Sequence, residues 1–507
     1  MPTAASWTEV RRSTADVAHL VSFRAGSVRR PRVLAIASTI FACLILAPAL
    51  LPALIHGAGS SKGYALDAVV LLPSAMAGLL ALAVASAVAS GGGRELLSRE
   101  HGVAYPVSPT TDHLGALLLA PLNIAWIIQA GVLLGATAYG VEARSLVPAQ
   151  IGMLIWIAAA TAVGQVVAWT VEAVRRRPHG LLTVRLAGLT LGACAVGVQL
   201  GGHTGAVLDS LKTRWIVVGF VDGFSWRWIA SIGVELAILV AAVVLGAVPA
   251  HFAARRAPRD ELRVESGSYE SRPLPRSPFA GLVRTDRASV WRAVPMRRGV
   301  AVLAVGPGLV ALAGDLTWSQ MTILPGLVAS GGALLFGVNA WCLDHRGGLW
   351  RESLPVSPAT VFAARSWVLA EFLLLASFTT MVLAGLRAGV PTTSELVALL
   401  CTWVVVVMQV VSSAMRWSSR RPFSVDLRSA RATPAPPAVM VGYSTKLAVA
   451  TTLTSLVFSA LANIDAWQMS ALMATPFLAW SIIRLLHARD SWVEPVSRAR
   501  VVTTVAA

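Results

Sequence analysis

The chain has 507 residues, 56% of them hydrophobic and only 13% charged, with a mean hydropathy of +0.68, which excludes an ordinary soluble domain. A net charge of +17 would suit nucleic acid if the cations shared one face, but they alternate with apolar runs, and a nucleic-acid partner is excluded on that ground. Cys43, Cys194, Cys342 and Cys401 lie in or at the ends of those runs with no paired spacing, so they read as small apolar residues rather than a disulfide frame or metal site.

The composition predicts an all-α polytopic membrane protein. A hydrocarbon core about 30 Å thick needs roughly 20 apolar residues per helix, and the chain offers about twelve such windows. They lie near 33–55, 65–90, 114–139, 147–171, 183–203, 227–250, 299–314, 321–341, 366–386, 395–415, 442–463 and 466–487.

Before the first window, Trp7, Val10, Val17 and Val21 recur at helix-face spacing among Arg11, Arg12, Asp16 and Arg24. Such an amphipathic helix lies in the headgroup plane; the other reading is a helix packed on the cytoplasmic loops. Residues 1–32 are too polar for a signal peptide. After the second window, Glu95 and Arg99 form an i,i+4 pair, Glu100 follows, and Pro106-Val107-Ser108-Pro109 ends the segment. Pro106 bars the α conformation for the residue before it, and Ser108 is placed to cap a helix whose first residue is Pro109. The connection at 204–226 carries Trp215, Phe220, Phe224 and Trp226, an aromatic anchor at the outer interface or a cover over a pathway mouth.

Residues 251–298 are the longest non-apolar stretch. Residues 251–278 read as a cytoplasmic connector between a first half, 1–250, and a second, 279–507. The second half opens on Phe279, Val283, Val290 and Val294 at helix-face spacing, again among charges. After its second window come Arg351-Glu352 and then Pro355-Val356-Ser357-Pro358, repeating the earlier tetrapeptide. Arg176-Arg177-Pro178 and Arg420-Arg421-Pro422 match after the fourth window of each half. Landmarks in register across an even number of spans predict two parallel six-helix repeats. Segments 1–32, 91–113, 172–182, 251–298, 342–365, 416–441 and 488–507 hold most of the Lys and Arg, which by the positive-inside rule puts both termini in the cytoplasm of a multi-pass cell-membrane protein. That basic inner face also suits membrane lipid.

These features resemble the ABC-2-type permeases of ATP-binding-cassette exporters: an elbow helix before the first span, six spans per half, and an acidic then Pro-Ser-Pro loop between the second and third spans. The two halves would be fused here, as in large actinobacterial exporter permeases; arginine far outnumbers lysine (Lys62, Lys212 and Lys446). The resemblance implies that Glu95 to Pro109 and Arg351 to Pro358 contain coupling helices that dock onto ABC ATPase subunits, two copies, one per loop. No GxxxxGK[ST] occurs, so the chain is not itself expected to be an enzyme; ATP and Mg would be bound by the partner. The cargo implied is a small amphipathic or hydrophobic molecule such as a drug, antibiotic, lipid or peptide, exported by alternating access.

Glu235, well inside its window, is the leading candidate for a pathway group, with Gln199 or His203 as its neighbour. Glu371, near Arg365, reads as a paired boundary residue. Gln129, Gln165, Asn339 and Gln409 read as interhelical hydrogen-bonding residues, and Gly131/Gly135, Gly188/Gly192 and Gly197/Gly201 as close-packing pairs. The alternative function is a secondary, major-facilitator-like efflux transporter. Its loop motif after the second span is absent. A membrane-embedded enzyme would need converging His, Asp or Ser, which the spacing does not provide.

Overall fold

A backbone buried in hydrocarbon must satisfy its N–H and C=O groups within the segment, so apolar runs of this length become helices. The computed structural model describes residues 7–26, 31–89, 107–122, 124–255, 273, 275–314, 316–335, 337–424 and 435–506. Regular structure among them is entirely helical, without a strand. The chain divides into two units, Met1–Arg259 and Asp260–Ala507, and the division falls within 251–278.

The first unit contains α1 (Trp7–Gly26), α2 (Pro31–Leu50), α3 (Tyr64–Ala89), α4 (Pro109–Leu119), α5 (Ile124–Gly140), α6 (Leu146–Arg175), α7 (Gly180–Leu200), α8 (Thr204–Ser210), α9 (Thr213–Val221), α10 (Trp226–Leu245) and α11 (Ala247–Ala254). Helix α6 is its axis and packs against α3, α5, α10 and α11. Small residues make this possible. A β-carbon at Gly164 would stand 2.9 Å from the Ala83 carbonyl of α3, so the two backbones touch there as only glycine permits. Gln150 donates to the carbonyls of Ala49 and Leu134 at 3.0 Å, and Trp156 donates to Met76 at 3.1 Å. These bonds tie α2, α3 and α5 to the axis.

The aromatic connection 204–226 is not a loose cover. Helix α9 buries Ile216, Val217 and Phe220 in the core formed with Met153, Trp156 and Ile157, while Trp215, Phe224 and Trp226 stay exposed. Phe220 fills the space left by Gly152. Gly152→Val is therefore expected to overpack this contact and cost about 1–3 kcal/mol, read as a lower melting temperature; an unchanged value would show that α9 does not seat on α6. The glycine pairs divide. Gly131 and Gly135 pack on Pro48, whereas Gly188, Gly192 and Gly197 have no neighbour within 4 Å of a β-carbon position among the described residues.

The second unit contains α12 (Pro278–Arg292), α13 (Val294–Ala313), α14 (Trp318–Met321), α15 (Ile323–Leu335), α16 (Gly347–Glu352), α17 (Pro358–Gly385), α18 (Thr393–Arg420), α19 (Pro437–Ala462), α20 (Trp467–Val493) and α21 (Pro495–Ala506). Between α15 and α16 the chain tightens into a 3-10 stretch, Gly337–Leu343, broken at Asn339. Helix α18 is central, packing on α15, α19 and α20, and Gln409 exchanges hydrogen bonds with Thr454 of α19 at 3.0 and 3.2 Å. The largest buried cluster, with Val283, Val290, Trp341, Phe362, Met415, Trp492 and Val502, lies at the end of this unit that carries α16.

Among the described residues eight helices are long and apolar enough to cross a membrane, or up to ten if each of two bent pairs is one span. These are features of a helical membrane protein. The windows at 33–55 and 114–139 fall on shorter pieces: α2 followed by a 3-10 turn, and α4 and α5 separated by a turn at Pro121. The direction turns by 83° between α12 and α13.

Candidate functional site

The repeated tetrapeptide does the same local work twice. Ser108 and Ser357 are both extended N-caps whose hydroxyls accept the backbone N–H three residues on, from Thr111 at 3.1 Å and Thr360 at 3.2 Å, with Pro109 and Pro358 opening α4 and α17. The threonine hydroxyls join the same caps at 3.0 and 2.7 Å. Proline contributes no N–H where none is needed, and serine satisfies one that would otherwise be orphaned.

Around each cap the elbow and the end of the last long helix converge. In the first unit α1 packs on α4, and Ser13 meets the Ser108 hydroxyl at 3.1 Å. Thr110 donates to Glu9 at 2.9 Å, and His251 of α11 lies 2.8 Å from Glu9 and 3.0 Å from Thr110. His113 is buried one turn further on, with Nε2 3.2 Å from the Val243 carbonyl and its ring against Gly246. In the second unit α12 packs on α17, and Trp492 of α20 donates to the Pro358 carbonyl at 3.1 Å. The apolar faces of α1 and α12 are buried at Val17, Val283 and Val290, while Val21 and Phe279 are exposed.

In the register that sets Val10 against Val283 and Val17 against Val290, Ser13 falls on Asp286. The second unit replaces the small hydroxyl contact with a buried ion cluster. Asp286 accepts from Arg365 at 2.8 Å and from Arg351 at 2.7 Å, while Asp344 pairs with Arg365 at 2.7 Å and with Arg351 at 2.9 Å. Asp286 is fully buried and Arg365 only 1% exposed. Arg365 also donates to the Ala340 carbonyl and stands over the Trp341 ring at 5.4 Å, and that ring stacks on Trp492 at 3.6 Å. Burial alone would push the Asp286 carboxyl up, but the guanidiniums of Arg365 and Arg351 together outweigh burial and hold it below the usual carboxylate range.

This arrangement decides which groups of the second loop face outward. Arg351 is turned inward, and Glu352 is taken by Arg498 of α21 at 2.8 Å. Helix α21 buries Val501, Val502 and Val505, and its Val505 carbonyl lies 3.2 Å from Nδ1 of His345. The outward groups include the apolar Leu349, Trp350 and Leu354, 52%, 78% and 50% exposed, and Pro355, beside the exposed Glu352 and Ser353, with Val356 half-buried. Compared with protein-family models, curated proteins and solved structures, the chain matches none.

Of the first loop, Glu95, Arg99, Glu100 and Pro106 lie outside the described residues, and Val107, Ser108 and Pro109 within them. The charges of the second loop draw attention to Arg351 and Glu352, whereas Trp350, beside them in sequence, is the most exposed side chain of the group. An aromatic residue flanking an Arg-Glu pair is the available signal. Glu371 is paired with Arg287 of the elbow at 2.8 Å, not with Arg365. The proposed pathway residues are not joined by hydrogen bonds. Glu235 is fully buried on α10 with neither oxygen bonded among the described residues, Gln199 accepts from Thr204, and His203 turns Nδ1 to the Gly201 carbonyl at 2.5 Å.

Proposed function

We propose that the chain is the membrane permease of an ATP-driven exporter of the ABC-2 type, with two six-span halves and both termini in the cytoplasm. One observation carries the reading. The loop that carries the repeated tetrapeptide is tied in each half to the unit's first helix and to the end of its last long helix, through Ser108 and Thr110 in the first unit and through Arg351 and Pro358 in the second. A push on such an element reaches three helices at once, which is what a transmission point requires. In the second unit this element also presents Trp350, with Leu349 and Leu354 exposed beside it, and tryptophan is among the residues enriched at interface hot spots.

The partner is an ATPase subunit, one for each loop, which holds the ATP and Mg. The cargo is amphipathic or hydrophobic, moved outward by alternating access. The positive-inside distribution of Lys and Arg supports both loops lying on the face where ATP is available.

The test is to purify the full chain from its native membrane in mild detergent and assay nucleotide hydrolysis. Vanadate-sensitive ATPase activity in a subunit carrying a GxxxxGK[ST] sequence is expected to co-purify, and to separate from the chain when Trp350 is changed to Ala. Transport by the chain alone, driven by an ion gradient, would overturn the reading in favour of a secondary transporter.

A further inference from the structure

At one end of the second unit, where α18 and α20 finish side by side, lies a cavity of about 340 Å³ lined by Arg416, Ser419, Arg420, His487, Ala488 and Ser491. Arg416 and Arg420 are four residues apart and so share a face of α18. Arg484 of α20 is close enough for both their charges to act on it. Among the described residues none of these three arginines has a carboxylate partner. The neighbouring Arg489 is paired with Asp490 at 3.0 Å.

Two buried donors nearby are also unused: Arg484 Nε and the Tyr443 hydroxyl have no hydrogen-bond partner among the described residues. Three like charges gathered without a carboxylate are costly unless an anion offsets them. The lining supplies two guanidiniums, an imidazole and the Ser491 hydroxyl, a donor set suited to the several oxygens of a phosphate, while the Ser419 hydroxyl is donated to the Met415 carbonyl at 3.0 Å. Apolar surface continues along the same face of α20, where Trp480 and Met473, seven and fourteen residues before His487, are 61% and 38% exposed. A charged recess at a helix end, leading onto an apolar helix face, has the layout of a phospholipid: headgroup, then acyl chains.

We propose that this cavity binds the phosphate of an anionic phospholipid, with Arg416 and Arg420 gripping its oxygens and the apolar face of α20 receiving an acyl chain. The positive-inside reading places the site at the inner leaflet. The binding chemistry does not depend on that, nor on what the protein transports, so the test stands apart from the proposed function.

The full chain is purified in a neutral detergent, and bound lipid is counted by native mass spectrometry while phosphatidylglycerol, phosphatidylcholine or inorganic phosphate is titrated in. Phosphatidylglycerol is expected to bind in preference to phosphatidylcholine. The R416Q/R420Q double variant is expected to weaken that binding about tenfold or more, as the loss of charge-assisted bonds requires. R489Q should leave it unchanged. Because R420Q alters an exposed side chain, this single variant carries the test if the double variant fails to fold. Equal binding of the two lipids, or phosphatidylglycerol binding that ignores Arg416 and Arg420, would overturn the site. Inorganic phosphate competing at the same concentration with the same arginine dependence would overturn the lipid and leave a soluble phosphate ligand in its place.

Discussion

Replacing Asp286 with alanine is expected to destabilise the second unit by about 3–5 kcal/mol, the cost of removing one partner from a buried ion cluster, and to lower its melting temperature on the order of 10 °C. The cause is the group left behind. Arg365 is 1% exposed and bonds Asp286 through two nitrogens, so without that carboxylate its hydrogen bonds to Asp344 and the Ala340 carbonyl are what remain to it. Asp286→Asn, which keeps the shape and one acceptor, should lose less. The pH dependence follows from the sign of the shift. A carboxyl held below its ordinary range contributes stability that is complete above about pH 4, the unfolded value, and is lost as pH falls through the folded one. Thermal unfolding followed by tryptophan fluorescence should therefore show an acid-labile component in the wild type that D286N lacks. Equal melting temperatures for wild type and D286A would mean that the cluster does not hold the elbow to α17.

Trp350→Ala is expected to separate docking from folding. Trp350 is 78% exposed, so its loss should change stability by less than about 0.5 kcal/mol. If it anchors the ATPase subunit, the same change should cost about 2 kcal/mol of binding, roughly thirtyfold in Kd. The dissociation constant for the purified partner, compared between wild type and W350A in one detergent, reads the difference. An unchanged constant would remove Trp350 from the interface. R498A offers a contrast, because Arg498 holds Glu352 from behind at 2.8 Å and acts on the loop only by positioning it.

The features legible in the sequence are those set by nearby residues. Apolar runs mark the helices, and Ser-Pro followed by a threonine marks both caps, because a cap is built from four consecutive residues. Contacts between distant residues are not legible. Arg365 stands six residues before Glu371 and reads as its partner, yet helical neighbours are three or four apart, and the two side chains find Asp286 and Arg287 instead. The elbows show an apolar face, but periodicity does not distinguish a face that meets lipid from one that meets protein. In α12 it meets α17 through Val283 and Val290. The arginines of the α18–α20 cavity count in the sequence only as inner-face charge, since nothing local shows that Arg416, Arg420 and Arg484 come together.

The proposed role of the loops is tested most directly by photocrosslinking from within them. A benzoylphenylalanine at Ser353, exposed on the second loop, is compared with one at Val390, exposed between α17 and α18. Position 353 is expected to capture a subunit carrying a GxxxxGK[ST] sequence, with a yield that changes when ATP and vanadate are added, and position 390 to capture none. Capture of that subunit at neither position, in membranes where the chain still transports, would contradict that role.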